Sequence, residues 1–308
     1  MTLNVLWILV GIALVLWGAD RLTDGAVAVA EQMRVPQIVI GLTVVAMGTS
    51  MPEFCVSLVS ALKGTPDLAV GNIVGSDIFN TLLIVGVSAL TAPMAILKNT
   101  VRKDIPFSLV ASAVLLIMCL DGEIGRGDAA VLFVLFLTFM YMTIKEAGTE
   151  EEAGGDSDRK KPQAAWLSAV WIVVGLACLI GGSNLFVEGA TGVAASLGVS
   201  EAVIGLTIVA GGTSLPELAT SVVSARKGNS GIAVGNVLGS NVFNILAILG
   251  VTGMITPMKL RGITMTDLSM LVVSVILLWL FSFTRYRIER WEGAVLTAVF
   301  VGYMCYLV

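Results

Sequence analysis

Ten stretches of mostly apolar residues run along this chain, near 2–20, 37–61, 68–90, 104–120, 128–146, 165–187, 200–225, 231–254, 266–283 and 291–307. Each is about 17 to 25 residues long, the length a helix needs to cross a bilayer. The first and sixth continue into 21–33 and 188–197, which predicts helices reaching past the membrane core. The first stretch lacks a basic region ahead of it and a small-residue cleavage site behind it, so it reads as a retained helix rather than a signal peptide. No segment between the stretches is long enough for a soluble domain. The pattern predicts an all-α integral membrane protein with ten transmembrane helices.

The polar positions repeat. "VPQIVIGLTVVAMGTSMPEFCVSLVSALKGTPDLAVGNIVGSDIFN" (35–80) aligns without a gap on "VSEAVIGLTIVAGGTSLPELATSVVSARKGNSGIAVGNVLGSNVFN" (199–244), with more than half of the positions identical. A constant offset of 164 carries Glu53 to Glu217, Gly18 to Gly182 and Pro93 to Pro257. The units are a first half, 1–147, and a second half, 165–308, joined by a short hydrophilic linker, 148–164. An odd number of spans per unit makes the second copy enter from the opposite face. The result is two inverted five-helix repeats, whose site is expected at the midplane between them. A plain scaffold repeat would match its apolar positions at least as well as its polar ones. Here the best-matched stretches hold the polar groups at lipid depth.

The stretch "VVAMGTSMPEF" (44–54) concentrates those groups. Pro52 has no N–H for the carbonyl of Gly48, and Gly48 loosens the backbone further. The helix is expected to part near Ala46 to Ser50 and to free carbonyls such as that of Ala46. Irregular backbone at this depth is tolerated only where it lines a cavity or is buried in protein. Thr49, Ser50 and Glu53 add side-chain oxygens, and Ala210, Thr213, Ser214, Pro216 and Glu217 repeat the arrangement. Two facing clusters of hard oxygen donors suit Na⁺ or Ca²⁺. The plainer alternative is a capping box, Ser50-x-x-Glu53. In the following helix Asn72, Ser76 and Asn80 share a face, as do Asn236, Ser240 and Asn244. Gly71-x-x-x-Gly75 and Gly235-x-x-x-Gly239 allow close helix approach. Asn72 and Asn236 fit a role as interhelical glue as well as a role in binding. Asp77 faces Asn241 in the alignment and so has no acidic mate; it is a supporting or third carboxylate, or a group on an access path.

Composition agrees with a membrane protein: 56% of the 308 residues are hydrophobic, 13% are charged, and the mean hydropathy is +0.94. Of the 18 Lys and Arg residues, Lys63, Arg126, Lys259 and Arg261 fall on the side of the termini and the other 14 on the opposite side. The positive-inside rule therefore places both termini extracellular and the 148–164 linker in the cytoplasm, for a multi-pass protein of the plasma membrane. The absence of His removes zinc–histidine and imidazole relay chemistry. The four Cys are scattered singles. No nucleophile–base pair and no phosphate loop appear, so neither an enzyme nor an ATP-driven pump is expected, no cofactor is required, and nucleic acid is not a partner.

"GTSMPE" with "GNIVGSDIFN" and "GTSLPE" with "GNVLGSNVFN" resemble the paired alpha-repeats of the cation/calcium exchanger superfamily, closest to the sodium/calcium exchangers. The resemblance covers nearly the whole chain. It implies a ten-helix fold with an ion site formed by helices 2, 3, 7 and 8, across which helices 1 and 6 slide. The ligand set it implies is the carbonyl of Ala46 with Thr49, Ser50, Glu53, Ser76 and Asn80, then the carbonyl of Ala210 with Thr213, Ser214, Glu217, Ser240 and Asn244. Na⁺ and Ca²⁺ are then the transported partners, and membrane lipid is the surrounding one. The large regulatory domain of animal exchangers is absent. Potassium-dependent members of the superfamily place an aspartate where Asn244 stands. The reading is a secondary active antiporter exchanging Na⁺ for Ca²⁺ by alternating access. The alternatives are a Ca²⁺/H⁺ exchanger and a cation channel.

Overall fold

The fold is that of a computed structural model, which describes residues 1–147, 165–198, 208, 210–260 and 262–307. The expected linker, and most of the first half of the seventh apolar stretch, lie outside the described residues. The helices are α1 (Thr2–Met33), α2 (Gln37–Thr49), α3 (Met51–Leu62), α4 (Pro66–Thr91), α5 (Lys98–Asp121) and α6 (Arg126–Ala147). They continue with α7 (Ala165–Ser196), α8 (Ala210–Thr213), α9 (Leu215–Arg226), α10 (Ser230–Ile255), α11 (Met265–Ser282) and α12 (Arg290–Leu307). Among the described residues 7 helices are long and apolar enough to cross a membrane, or 8 when α2 and α3 are taken as one span bent by 47°. Outside that count are α9, only 12 residues long, and α12, which opens on Arg290, Trp291 and Glu292. The two long helices α1 and α7 run past the apolar segments, as the sequence predicts.

These two helices lie antiparallel along their length. Gly11 faces Gly182, Gly18 faces Gly175, and Gly25 faces Ser168; a Cβ at Gly11 or Gly18 would come within 2.7 or 2.8 Å of the opposing backbone oxygen. A seven-residue spacing of glycine on both helices is what lets the backbones meet, since any side chain there would push them apart. At one end Lys227, in the turn between α9 and α10, binds Asp20 at 2.5 Å and Asp24 at 2.7 Å and so ties α1 to that turn.

The fold also contains strands that an all-α reading omits, each only 2 residues long: β1 (Met94–Ala95), β2 (Glu123–Ile124), β3 (Met258–Lys259) and β4 (Arg287–Ile288). β1 pairs with β4 and β2 with β3, both antiparallel. Met94 sits opposite Ile288, and Met258 opposite Ile124, so the two ladders are the same pairing in the 164-residue register. Each ladder joins one half of the chain to the other. The apolar core does the same: Ile73, Leu82, Ile105 and Leu132 pack with Leu238, Ile248, Leu271 and Leu278.

Candidate cation site

The site begins at two breaks. Helix α2 ends at Thr49, and Ser50 leaves the helical region (φ −83°, ψ 10°) before α3 starts; Ser214 repeats this (φ −89°, ψ 8°) between α8 and α9. Pro52 and Pro216 then stand in the first turn of the new helix, where a missing N–H costs nothing. The sequence places the break correctly but misplaces its free carbonyl. Ala46 O accepts the Ser50 N–H at 3.0 Å and lies 3.3 Å from the Thr49 hydroxyl, because the last turn closes before Pro52 withdraws its donor. The carbonyl deprived of its donor is that of Gly48. Ala210 opens the short helix α8.

The capping-box alternative does not form, since Ser50 makes no side-chain cap bond. Its hydroxyl instead crosses to the other half and donates to Glu217 Oε1 at 3.0 Å, and Ser214 donates to Glu53 Oε1 at 3.1 Å. Ser76 Oγ lies 3.3 Å from Ser214 Oγ. Thr213 faces Glu53 as Thr49 faces Glu217. Each carboxylate is thus held by a hydroxyl from the opposite repeat, and both glutamates are only 1% exposed.

Asn72 and Asn236 tie adjacent helices together. Asn72 donates to the Glu53 carbonyl at 3.4 Å and to Ser57 Oγ at 3.1 Å; Asn236 donates to the Glu217 carbonyl at 3.2 Å and to Ser221 Oγ at 3.0 Å. Asn236 also accepts from Thr49 at 3.0 Å. Gly235 and Gly239 make this approach possible, since Cβ atoms there would lie 2.7 Å from Ile38 O and 2.5 Å from Leu42 O.

Asn80 and Asn244 sit in short π-helical segments, Phe79–Ile84 and Phe243–Ile248, and a third such segment, Gly41–Val45, precedes the first break. An extra residue per turn re-aims the side chains that follow, and such bulges collect at functional sites. No residue pattern announced them. Asn244 donates to Asp77 Oδ1 at 2.9 Å, Asn80 to Asn241 Oδ1 at 3.1 Å, and Asn241 to Thr81 Oγ1 at 2.7 Å. Asn241 and Thr81 were missed because they read as ordinary interior polar residues.

Several oxygens in this cluster have no hydrogen-bond partner although they are buried: Glu53 Oε2, Glu217 Oε2, Asp77 Oδ2, Asn80 Oδ1, Asn244 Oδ1 and Ser240 Oγ. Buried polar atoms are rarely left unpaired. All belong to residues that cross-half hydrogen bonds gather, or to their neighbours on the same helices, and all but the serine present acceptor atoms alone. Among the described residues no set of three or more His, Cys, Asp or Glu is grouped as a metal cluster. The carboxylates beside the breaks are those of Glu53 and Glu217, and with Asp77 apart the other unpartnered oxygens of this cluster belong to neutral Asn and Ser side chains. A cluster of hard oxygens with little charge suits an alkali or alkaline-earth cation that must later leave.

A buried cluster of unpartnered oxygens within apolar helices is the donor chemistry that suits a cation inside a membrane protein. The comparisons with known proteins say which kind. The family described as "Sodium/calcium exchanger protein" matches residues 3–145 and 167–308, so the chain belongs to the sodium/calcium exchanger family. The putative antiporter CaxA of Alkalimonas amylolytica is 38% identical over 98% of each chain, and the sodium/calcium exchanger MaX1 of Methanosarcina acetivorans is 31% identical over 99% of each. The solved structure of the sodium-calcium exchanger NCX_Mj soaked with zero Na⁺ and Ca²⁺ superimposes with a TM-score of 0.88 at 32% identity, covering 100% of this chain and 99% of that one. A sodium/potassium/calcium exchanger of Rattus norvegicus matches only 40% of this chain, at 38% identity. The protein is a multi-pass membrane cation exchanger.

Proposed function

We propose that this chain exchanges Na⁺ for Ca²⁺ by alternating access at one shared midplane site, without enzymatic activity. The observation that carries this reading is the set of unpartnered buried oxygens beside Glu53 and Glu217. Two carboxylates balance one Ca²⁺ or two Na⁺, so the ions compete for the same charge. The empty, doubly anionic site is costly to carry through a low-dielectric core, which makes exchange obligatory. Downhill Na⁺ influx then drives Ca²⁺ out. The relatives named as a sodium/calcium exchanger and as NCX_Mj support the choice of ions. Ten helices in two inverted repeats, 1–147 and 165–308, with both termini outside the plasma membrane, are the architecture this mechanism uses; the mirrored breaks at Ser50 and Ser214 support it.

The test is purified protein in liposomes loaded with Na⁺ and diluted into radioactive Ca²⁺. Uptake that needs the outward Na⁺ gradient is expected. Uptake indifferent to Na⁺ but driven by a proton gradient would move the protein to the Ca²⁺/H⁺ alternative, and flux without a counter-ion to the channel.

A further inference from the structure

Asn80 and Asn244 each keep a buried carbonyl oxygen without a hydrogen-bond partner, and toward a cation an amide has a wrong end as well as a right one. Its NH₂ would repel a cation as firmly as its oxygen attracts one. Something has to decide which end faces inward. For Asn244 the NH₂ is taken by Asp77 Oδ1 at 2.9 Å, and for Asn80 by Asn241 Oδ1 at 3.1 Å. In both cases the carbonyl oxygen is left buried and unpartnered.

The two devices differ. Asp77 Oδ1 accepts from the Asn244 NH₂, and a carboxylate in its ionised form has no donor with which to hold the amide the other way round. Asn241 is an amide and has no such bias; its own NH₂ is occupied by Thr81 Oγ1 at 2.7 Å, which turns its oxygen toward Asn80. The position equivalent to Thr81 in the second half is Ile245, which offers no hydrogen bond. Where the chain has a carboxylate it needs no pin, and where it has an amide it has one. All five side chains are at most 1% exposed, so bulk solvent does not reach them.

We infer that Asp77 and Asn241 are positioning residues that hold the amides of Asn244 and Asn80 with their oxygens toward the transported cation, Asn241 being held in turn by Thr81. The inference rests on the cation-exchange reading of the site. It assigns Asp77 to orientation rather than to a third ligand charge, through its hydrogen bond with Asn244.

The experiment measures cation-induced thermal stabilisation of the purified protein across Na⁺ and Ca²⁺ titrations, alongside liposome exchange. Asp77→Asn leaves the amide at 77 free to turn, and is expected to weaken apparent Ca²⁺ affinity about tenfold, the factor that roughly 1.4 kcal/mol represents. Adding Ile245→Thr copies the Thr81 pin and is expected to restore most of that loss, although no charge returns. Thr81→Val, nearly isosteric, is expected to weaken affinity by several-fold through Asn241 alone. Failure of Ile245→Thr to rescue Asp77→Asn, with both variants monodisperse, would overturn the inference and make Asp77 a charge-bearing ligand. Unchanged affinity in both Asp77→Asn and Thr81→Val would overturn it equally. Should the wild type be stabilised by these cations yet show no Na⁺-driven Ca²⁺ exchange, the exchange reading fails while the orientation test still stands; with no stabilisation by either cation, both fall.

Discussion

Ser50 lies on the first half of the chain and Glu217 on the second, yet the serine hydroxyl donates to the carboxylate at 3.0 Å. Ser214 and Glu53 form the mirror pair at 3.1 Å. The two glutamates of the site are therefore each held from across the repeat boundary. A hydrogen bond to a charged group contributes about 1.5–3 kcal/mol, and leaving the partner unsatisfied in the interior costs comparably. Ser50→Ala and Ser214→Ala should each raise the apparent KM for Ca²⁺ roughly tenfold or more on that scale. Ser50→Thr, which keeps the hydroxyl, should keep most of the affinity. Ca²⁺ uptake curves that superimpose for wild type and Ser50→Ala would contradict the role given to this bond.

The glutamates themselves should tolerate no loss of charge. Glu53→Gln and Glu217→Gln are nearly isosteric and keep an oxygen, but each removes half the compensation for a divalent ion. Ca²⁺ exchange is expected to fall at least about a hundredfold, or some 2.7 kcal/mol, while the protein remains folded and monodisperse. Substantial exchange by both variants in Na⁺-loaded liposomes would remove them from the ligand set.

Potassium should be dispensable. Asn80 and Asn244 are both amides, and Asp77 Oδ1 is engaged by the Asn244 NH₂. With Glu53 and Glu217 neutralised by Ca²⁺, a co-transported K⁺ would be an uncompensated charge in a low-dielectric site. Na⁺-driven Ca²⁺ transport is expected at full rate in choline-balanced, K⁺-free liposomes. Strict K⁺ dependence that vanishes in Asp77→Asn would place this chain with potassium-dependent exchangers.

Orientation follows from charge. The split of 4 against 14 Lys and Arg residues predicts an external N-terminus and a cytoplasmic connection between the halves. A cysteine introduced by Ser157→Cys, on a background lacking the 4 native cysteines, should resist an impermeant thiol reagent in intact cells. Ready labelling of intact cells at that position would reverse the topology.

Much of this molecule was legible in its residues because the bilayer limits the choices. Apolar length predicted the long helices, the 164-residue register predicted paired breaks, and Pro52 and Pro216 located them to within a residue or two. The exceptions are features that depend on partners rather than on local pattern. The Ala46 carbonyl was misjudged because a proline frees the carbonyl four residues back, and the last turn before it can still close. The π segments around Asn80 and Asn244 carry no compositional mark, and the residues that flank them, Ile78, Val85, Val242 and Leu249, keep ordinary α-helical φ and ψ. The capping box at Ser50 fitted the sequence and failed in space, because a better acceptor, Glu217, arrives from 167 residues away. Asn241 and Thr81 became visible only when the amide they orient was in place.

The paired strands have a consequence for the covalent chain itself. β1 binds β4 and β2 binds β3, so each half is clasped to the other twice, in the same register, while sharing a common core. Assembly then depends on these reciprocal clasps rather than on the peptide that links the units. Residues 1–147 and 165–308, expressed together as separate polypeptides, should find each other in the membrane and rebuild a working exchanger.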